Sequence, residues 1–514
     1  MATFIIGILI LLVGGFFYGK LCERVFHPDD RKTPAYAKGD GVDYVPMKKW
    51  KNSLVNLLNI AGTGPILGPI QGILFGPIAF ITIPVGCIIG GAMHDYFNGM
   101  ICTRNGGIQM PEMIRRHLDK AVSWFYTIFV CLTLFLCGVV FVYTPGDIAA
   151  TQLLGFGGTA KEPSTWIIYG VIFAYYLVAT VLPIDKIIGK IYPVFGAVLV
   201  LSAVGIFVML FVHRSSLAEL FGDQVLNGFD FGAYFKSQHF IPSFFVTVAC
   251  GIMSGFHGSQ TALVSRTLEN EKDGRMTYYN MMICEGFIAM VWAAGTMAVI
   301  GLGAENAGIT MKLTDAGWGY FQNVDGVLQQ ISATSVVGVV CKSMLGPVGG
   351  IIAVIGVIVL PVTSGDTALR SLRLMIAETF HIKQRSIGRR MALAVPIFAL
   401  AAGVLIWAKN DANGFNTIWR YFGWANQTLT IFATASIMIY LMRENKWKFI
   451  WMPAIPFLFY AFITSSYILS APIGLSLNMT ASYIIGGAFT LVAFAAVVIR
   501  GRKMIKKGVK NEIV

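Results

Sequence analysis

Thirteen apolar stretches recur from one end of the chain to the other, and each is about as long as a membrane is thick. A transmembrane helix needs roughly 20 predominantly apolar residues. The sequence therefore predicts an all-α polytopic membrane protein with about 13 transmembrane helices. These spans, numbered one to thirteen in chain order, lie near residues 2–20, 53–76, 77–100, 121–144, 166–183, 191–213, 240–263, 277–303, 346–365, 391–408, 419–442, 449–468 and 477–499.

The positive charge is distributed unevenly between the connecting loops. When the loops are assigned alternately to the two sides, 32 of the 39 Lys and Arg residues fall on one side. Cytoplasmic loops carry this excess in membrane proteins. We therefore predict a protein of the cytoplasmic membrane with its N-terminus outside and its basic C-terminal tail in the cytoplasm. The net charge of +13 is explained by this orientation, and we expect no nucleic-acid partner.

Three spans contain residues that interrupt helices. Span two includes "AGTGPILGPIQG" (61–72), span seven includes "ACGIMSGFHGSQTALVSR" (249–266), and span nine ends in "GVIVLPVTSGDTALRSLRLM" (356–375). Unpaired backbone groups are costly in hydrocarbon, so broken helices occur where protein or a watery cavity surrounds them. The breaks predict a ligand site, although glycines in membrane helices also serve close packing.

The first two breaks are related by the predicted topology. Span two runs from inside to outside, and span seven, five helices later, runs in the opposite direction. Interrupted helices in corresponding positions of two inverted units indicate a transporter's binding site. The predicted organisation is a first helix with a basic loop, a five-helix unit, an external loop, a second five-helix unit, and two extra helices with a basic tail, at 1–52, 53–213, 214–239, 240–442 and 443–514.

Five motifs carry a family resemblance. They are "GDGVDYVP" (39–46), "AGTGPILGP" (61–69), "GGAMHDYF" (90–97), "GFHGSQTALVSRTLENEKDGR" (255–275) and "FGWANQ" (422–427). In sequence and in order, these segments resemble the carbon starvation protein family. The resemblance implies a LeuT-like fold of inverted five-helix repeats with broken helices. It also implies a secondary active transporter that imports peptides under carbon starvation, with pyruvate or another small carboxylate or an amino acid as the alternative substrate.

Candidate substrate-binding residues lie at the two breaks. Glycines there free backbone groups, and neighbouring side chains offer hydrogen bonds to a peptide or keto acid. His257 leads because it stands at the second break within the family motif; its alternative role is to cap the broken helix. The candidates are Gly62, Thr63, Gly64, Gly255, His257, Gly258, Ser259 and Gln260.

Ionisable residues at membrane depth are candidates for ion coupling. Asp95 lies near the inner end of span three, where a structural pair with Arg104 or another cytoplasmic basic residue is the alternative role. Glu285 in span eight faces Arg266 or His257 in this prediction. Asp366 follows the Thr-Ser pair of span nine.

The resemblance adds a sodium hypothesis. In the implied fold, span nine places Thr363 and Ser364 beside the break at Ala61 in span two. Hydroxyl and carbonyl oxygens suit a hard cation. The sequence leaves both sodium and proton coupling open, and no other cofactor or metal is expected.

Other function classes find less support in the sequence. A channel calls for a filter repeat, and an enzyme calls for a nucleophile with its base or a metal motif; neither pattern is present. A sensor needs a soluble signalling domain, for which no segment is long enough. We therefore expect a transporter rather than an enzyme. Asn426 and Gln427 are expected to make interhelical hydrogen bonds, and the oligomeric state remains open.

Overall fold

The computed structural model describes residues 1–39, 41, 44–181, 184–314, 317–382, 386–411 and 413–506. Parts of the "GDGVDYVP" motif and of the basic loop 366–390 lie outside the described residues, as does the end of the basic tail, residues 507–514.

The chain is mostly helical. In the first half the helices are α1 Ala2–Phe26, α2 Pro34–Ala37, α3 Lys49–Ile60, α4 Gly64–Phe75, α5 Ala79–Arg104, α6 Met110–His117, α7 Lys120–Leu153, α8 Pro163–Val181, α9 Ile184–Val212 and α10 Phe231–Ser237. In the second half they are α11 Phe240–Thr247, α12 Phe256–Val264, α13 Glu271–Leu302, α14 Ala333–Thr379, α15 Ile387–Asn410, α16 Gly414–Arg443, α17 Trp451–Ser470 and α18 Met479–Lys506.

Every predicted span falls on one or two of these helices. Within the described ranges, nine helices are long and apolar enough to cross a membrane, and the bent pair α3–α4 makes a tenth. Spans five and six correspond to α8 and α9, in which the apolar segments among the described residues are Pro163–Ala179 and Gly196–Val212, and span seven is divided between α11 and α12. A polytopic membrane protein is thus confirmed, whereas the count of thirteen and the inverted repeats stay predictions.

Both breaks in spans two and seven are present. The axes of α3 and α4 differ by 48°, and Ala61 between them leaves helical geometry at φ −82°, ψ 68°. Pro65 stands in the first turn of α4, where its missing N–H costs nothing. In span seven, eight residues separate α11 from α12, and Gly251 among them adopts φ +90°.

Span nine differs from the prediction. The helix α14 runs through Pro361, Thr363, Ser364 and Asp366 without leaving helical geometry. The backbone of α14 leaves helical geometry at Gly346, where φ is 70°. A residue before proline is disfavoured in the α region, and glycine reaches positive φ at no steric cost, so the Gly346-Pro347 step bends the helix instead.

The all-α expectation is wrong for two loops that the sequence assigns to the outside. Strands β1 Val225–Leu226 and β2 Phe229–Asp230 pair in the first loop. In the second loop β3 Thr310–Thr314, β4 Gly317–Val324 and β5 Val327–Ile331 form an antiparallel sheet. Asp325 and Gly326, both at positive φ, turn β4 into β5, and Asp-Gly is a favoured two-residue hairpin turn.

The helices differ in how much of their apolar surface is buried. The apolar stretch long enough to cross a membrane is 89% buried in α16, 83% in α13 and 72% in α5, but only 22% buried in α15 and in α18. The first three therefore lie in the centre of the bundle, and the other two expose most of their surface where lipid would be. The breaks pack against these central helices.

Candidate functional site

The two broken helices touch at their breaks. A Cβ on Gly64, at the start of α4, would overlap Cβ and Sγ of Cys250 in the second break. One turn later, a Cβ on Gly68 would lie 3.0 Å from the carbonyl oxygen of Thr247. Glycine at these positions lets the two backbones approach closely. The two interrupted segments that the sequence singled out are therefore neighbours in the structure.

A row of buried ionisable side chains lies beside the second break. Asp95 on α5 and His257 on α12 are in contact, with Oδ2 2.9 Å from Nδ1. The other ring nitrogen of His257, Nε2, is 3.6 Å from Oε2 of Glu285 on α13. His94 Nδ1 lies 2.8 Å from Asp95 Oδ1. All four side chains are fully buried.

This row can hold protons in more than one arrangement. A charge buried in a low-dielectric interior is costly unless a partner of opposite sign compensates it. An imidazolium between two carboxylates, or a neutral imidazole beside a protonated carboxyl, each keeps the net charge low. The row can therefore gain or lose a proton without leaving a charge far from a partner.

Sequence reasoning found part of this arrangement. The sequence predicts that Glu285 faces either His257 or Arg266, and the structure shows the contact with His257. Arg266 donates instead to the Gly107 carbonyl at 2.9 Å. The alternative pairing of Asp95 with Arg104 is wrong. Arg104 pairs with Glu271 at 2.9 Å, at the end of α5 away from Asp95.

The sodium candidates come together only in part. Ser364 Oγ donates to the carbonyl of Leu58, three residues before Ala61, at 2.9 Å. This contact brings α14 next to the last turn of α3, and the sodium site at Ala61 stays a prediction. Thr363 Oγ1 donates within its own helix, to Leu360 at 2.8 Å.

Asp366 lies one turn further along α14 and has a basic neighbour on its own helix. Its Oδ1 is 3.5 Å from Nη2 of Arg370, and both side chains are buried. This guanidinium compensates the charge of Asp366 locally, apart from the row around His257.

The remaining predicted binding residues surround the breaks. Gly62 packs under Phe141, and Gly258 faces Met110. The side chains of Thr63, Ser259 and Gln260 are more than nine-tenths buried, and their polar atoms lack a hydrogen-bond partner among the described residues.

Two asparagines that sequence reasoning missed share this property. Both polar atoms of Asn98, on α5, and Oδ1 of Asn59, on α3, are buried without a partner in the described part of the chain. Asn98 lies one turn after Asp95, and Gln260 lies one turn after His257. Helical spacing from the Asp95–His257 pair is the signal that could have identified Asn98.

One group of side chains in the described residues has metal-ligand chemistry. Donor atoms of Cys250, His257 and Glu285 all lie within 4.8 Å of one another. They offer one sulfur, one nitrogen and one oxygen, whereas a closed zinc site takes four protein ligands. The expectation of no bound metal stays a prediction.

Comparisons with known proteins give the family. The family model described as "Carbon starvation protein CstA" matches residues 1–145, 136–314 and 327–467. An uncharacterized membrane protein of Haemophilus influenzae is 40% identical over 57% of this chain and 89% of its own length. The peptide transporter CstA of Escherichia coli is 22% identical over 87% and 78%. The pyruvate/proton symporter BtsT of the same organism is 22% identical over 85% and 76%.

A comparison of structures supports the fold. A crystal structure of the manganese transporter of Eremococcus coleocola aligns with a TM-score of 0.57 and 9% sequence identity, covering 90% of this chain and 99% of the transporter. At this identity the similarity concerns the fold alone. The chain therefore shares the architecture of a membrane transporter.

Proposed function

Because the chain belongs to the carbon starvation protein CstA family, we propose that it is a secondary active transporter that imports peptides by alternating access, driven by a proton gradient. The observation that carries the proton coupling is the buried row of Asp95, His257 and Glu285 at the second break. Ionisable side chains inside a membrane bundle form proton relays in pumps and transporters.

The hydroxyl contacts favour protons over sodium as the coupling ion. A sodium site at Ala61 would need oxygen lone pairs directed at the ion. Ser364 donates to the Leu58 carbonyl and Thr363 donates to the Leu360 carbonyl, so neither of these hydrogen bonds reaches the carbonyl of Ala61. A sodium site would need these oxygens to converge on one point, whereas the row around His257 accommodates a proton as it stands.

The buried amides favour a peptide over pyruvate. Asn98 and Gln260 each lack partners at both the NH₂ group and the carbonyl oxygen, among the described residues. Asp95 and His257, one turn before these amides on their helices, are in contact, and spans three and seven cross in the same direction in the predicted topology, so the amides would lie on neighbouring turns. A peptide offers N–H donors to the amide oxygens of these side chains and C=O acceptors to their NH₂ groups, whereas pyruvate offers acceptors only. Pyruvate remains the second candidate because BtsT, named as a pyruvate/proton symporter, is a relative.

The uneven distribution of Lys and Arg supports the proposed orientation. We place the protein in the cytoplasmic membrane with its N-terminus outside, so substrate enters from the side of the β3–β5 sheet. Alternating access then moves the elements around the breaks of spans two and seven, with the substrate held between them.

Uptake into proteoliposomes tests this function. Labelled dipeptide and labelled pyruvate are supplied separately under an imposed proton gradient or sodium gradient, with wild type and His257→Gln. We expect proton-dependent accumulation of the dipeptide by wild type and its loss in the variant. His117→Gln is the matched control, because His117 is also a buried histidine but contacts Met113 and Ser436 instead.

Each alternative gives a different result. Accumulation driven only by sodium contradicts proton coupling, and accumulation of pyruvate without dipeptide contradicts the peptide assignment. Unchanged uptake by His257→Gln removes the row from the mechanism and leaves His257 as a structural cap. If folded wild type transports neither substrate under either gradient, the proposed substrates are wrong.

A further inference from the structure

Two adjacent side chains of α16 contact opposite sides of the break in span seven. Asn426 reaches the start of α12, and Gln427 reaches the end of α11. They belong to the "FGWANQ" segment, for which the sequence predicts only interhelical hydrogen bonds. Both side chains are fully buried.

Asn426 caps the second half of the broken helix. Its Oδ1 accepts the backbone N–H of Phe256 at 2.7 Å and lies 3.1 Å from the hydroxyl of Ser254, while its Nδ2 lies 3.0 Å from the same hydroxyl. The N-cap position of α12 is Gly255, which has no side chain to cap the helix. The free N–H groups of a helix start need such an acceptor. Asn426 supplies it from another helix.

Gln427 holds the first half. Its Nε2 donates to the carbonyl of Phe245 at 3.0 Å, within the last turn of α11. Carbonyls in the last turn of a helix have no partner further along the same helix. One dipeptide on α16 therefore satisfies a carbonyl before the break and an N–H after it.

Close backbone contact keeps the two helices together. A Cβ on Gly255 would overlap the carbonyl oxygen of Asn426 and Cβ of Leu429. Only glycine permits α12 to begin at this distance from α16. His257 follows Phe256 directly, so the capped first turn of α12 also sets the direction of its imidazole towards Asp95.

We propose that Asn426 and Gln427 are positioning residues that fix the two halves of span seven against α16 and thereby orient His257. The proposal rests on the proposed function for its effect on coupling, but the clamp itself is a property of the fold. In alternating access, α16 and the break then move as one unit. Loss of the clamp loosens the first turn of α12 and misplaces the proton-carrying imidazole.

Hydrogen exchange on the full-length protein in nanodiscs tests the clamp without substrate. In Asn426→Ala, we expect the amides in peptides covering 250–258 to exchange about tenfold faster, because a buried cap hydrogen bond is lost. Gln427→Leu should speed hydrogen exchange in peptides covering 242–248 in the same way. Asn426→Asp keeps the acceptor for Phe256 and should retain protection. Thr434→Ala is the control, because the hydrogen bonds that this buried hydroxyl of α16 makes among the described residues stay within its own helix.

Transport provides the second readout. Two transport rates are compared: dipeptide uptake driven by the proton gradient, and the swapping of labelled for unlabelled dipeptide across the membrane without a gradient. In Asn426→Ala the ratio of the first rate to the second should fall about tenfold. A general loss of folded protein would lower both rates and leave their ratio unchanged. The clamp is overturned, whatever the transport result, if hydrogen exchange at 250–258 is the same in Asn426→Ala as in wild type. It is also overturned if Thr434→Ala speeds hydrogen exchange there equally. Faster exchange in Asn426→Ala with no uptake by wild type upholds the clamp and removes the proposed function instead.

Discussion

Asp95 uses each of its carboxylate oxygens for a different histidine. Oδ1 lies 2.8 Å from Nδ1 of His94, and Oδ2 lies 2.9 Å from Nδ1 of His257. A carboxylate can accept from both rings, whereas an amide presents one donor and one acceptor. In the proposed proton coupling, the negative charge of Asp95 is thus the feature that would compensate an imidazolium at His257.

Replacing Asp95 by Asn should uncouple transport from the proton gradient. Hydrogen bonds to charged groups contribute about 1.5–3 kcal/mol, so proton-driven uptake should fall roughly 10- to 150-fold. Initial rates of dipeptide uptake at fixed gradient measure the effect. Asp273→Asn, which breaks an ion pair with Lys49 between the first turns of α13 and α3, is the control and should transport normally. Uptake by Asp95→Asn within twofold of wild type would falsify the role of this carboxylate.

His117 gives a prediction for stability rather than transport. It lies on α6, outside the membrane-spanning helices, and burial, with Arg443 nearby, lowers the pKa of its imidazole to about 3. The unfolded chain binds a proton near the ordinary pKa of about 6.5, so folding is progressively opposed as the pH falls from about 6.5 towards 3. Between pH 7.5 and pH 5 the free energy of unfolding should fall by about 2 kcal/mol from this residue.

Unfolding of detergent-solubilised wild type and His117→Gln at the two pH values checks this sign. The glutamine variant cannot titrate, so its stability should change less between pH 7.5 and pH 5 than that of wild type. Equal changes in the two proteins would show that His117 is protonated as readily in the folded state as in the unfolded chain.

Individual pairings are harder to predict than the residues that make them. His257, Glu285 and Asp95 stand out because ionisable side chains are rare at membrane depth. Which of them meet depends on how distant helices pack, and the separation between Asp95 and His257 is 162 residues. Arg104 is close to Asp95 in sequence, but it lies more than two turns along α5 and binds Glu271.

At the scale of elements, clustered glycines predict the breaks, with prolines beside them in span two. Spans two and seven break at these clusters. In span nine the predicted stretch around Pro361 stays helical, and the bend falls instead at the Gly346-Pro347 step. The β3–β5 sheet was missed although its Asp325-Gly326 turn is visible in the sequence, because short strands in a polar loop lack the strong periodicity of the spans.

Gly64 tests the contact between the two breaks. In Gly64→Ala the new methyl group would overlap Cys250, and overpacking of a core costs about 1–3 kcal/mol. We expect lower thermal stability and reduced uptake. Gly403→Ala is the matched control and should be tolerated, because outside its chain neighbours and its own helix backbone no heavy atom of the described residues lies within 4 Å of the point where its Cβ would be. Cys250→Gly should partly rescue Gly64→Ala, and no rescue would contradict direct contact.

At the scale of the whole molecule, a buried ion pair joins the two predicted five-helix units. Lys409 Nζ on α15 lies 2.7 Å from Asp147 Oδ1 on α7, and both side chains are only 7% exposed. The ammonium also lies 4.8 Å from the ring centre of Tyr143. Thr334 at the start of α14 donates to the second oxygen of Asp147. Three helices from different parts of the chain thus meet at one carboxylate.

Removing one charge of this pair should cost more than removing both. Lys409→Met leaves Asp147 buried without its cation, and such a change costs about 3–5 kcal/mol. The double variant Lys409→Met with Asp147→Asn retains an acceptor for Thr334 and should recover most of that loss. Unfolding in mixed detergent micelles measures both, and Lys312→Met, an exposed lysine of β3, is the control. If the double variant is no more stable than Lys409→Met, the pair does not join the two units through its charge.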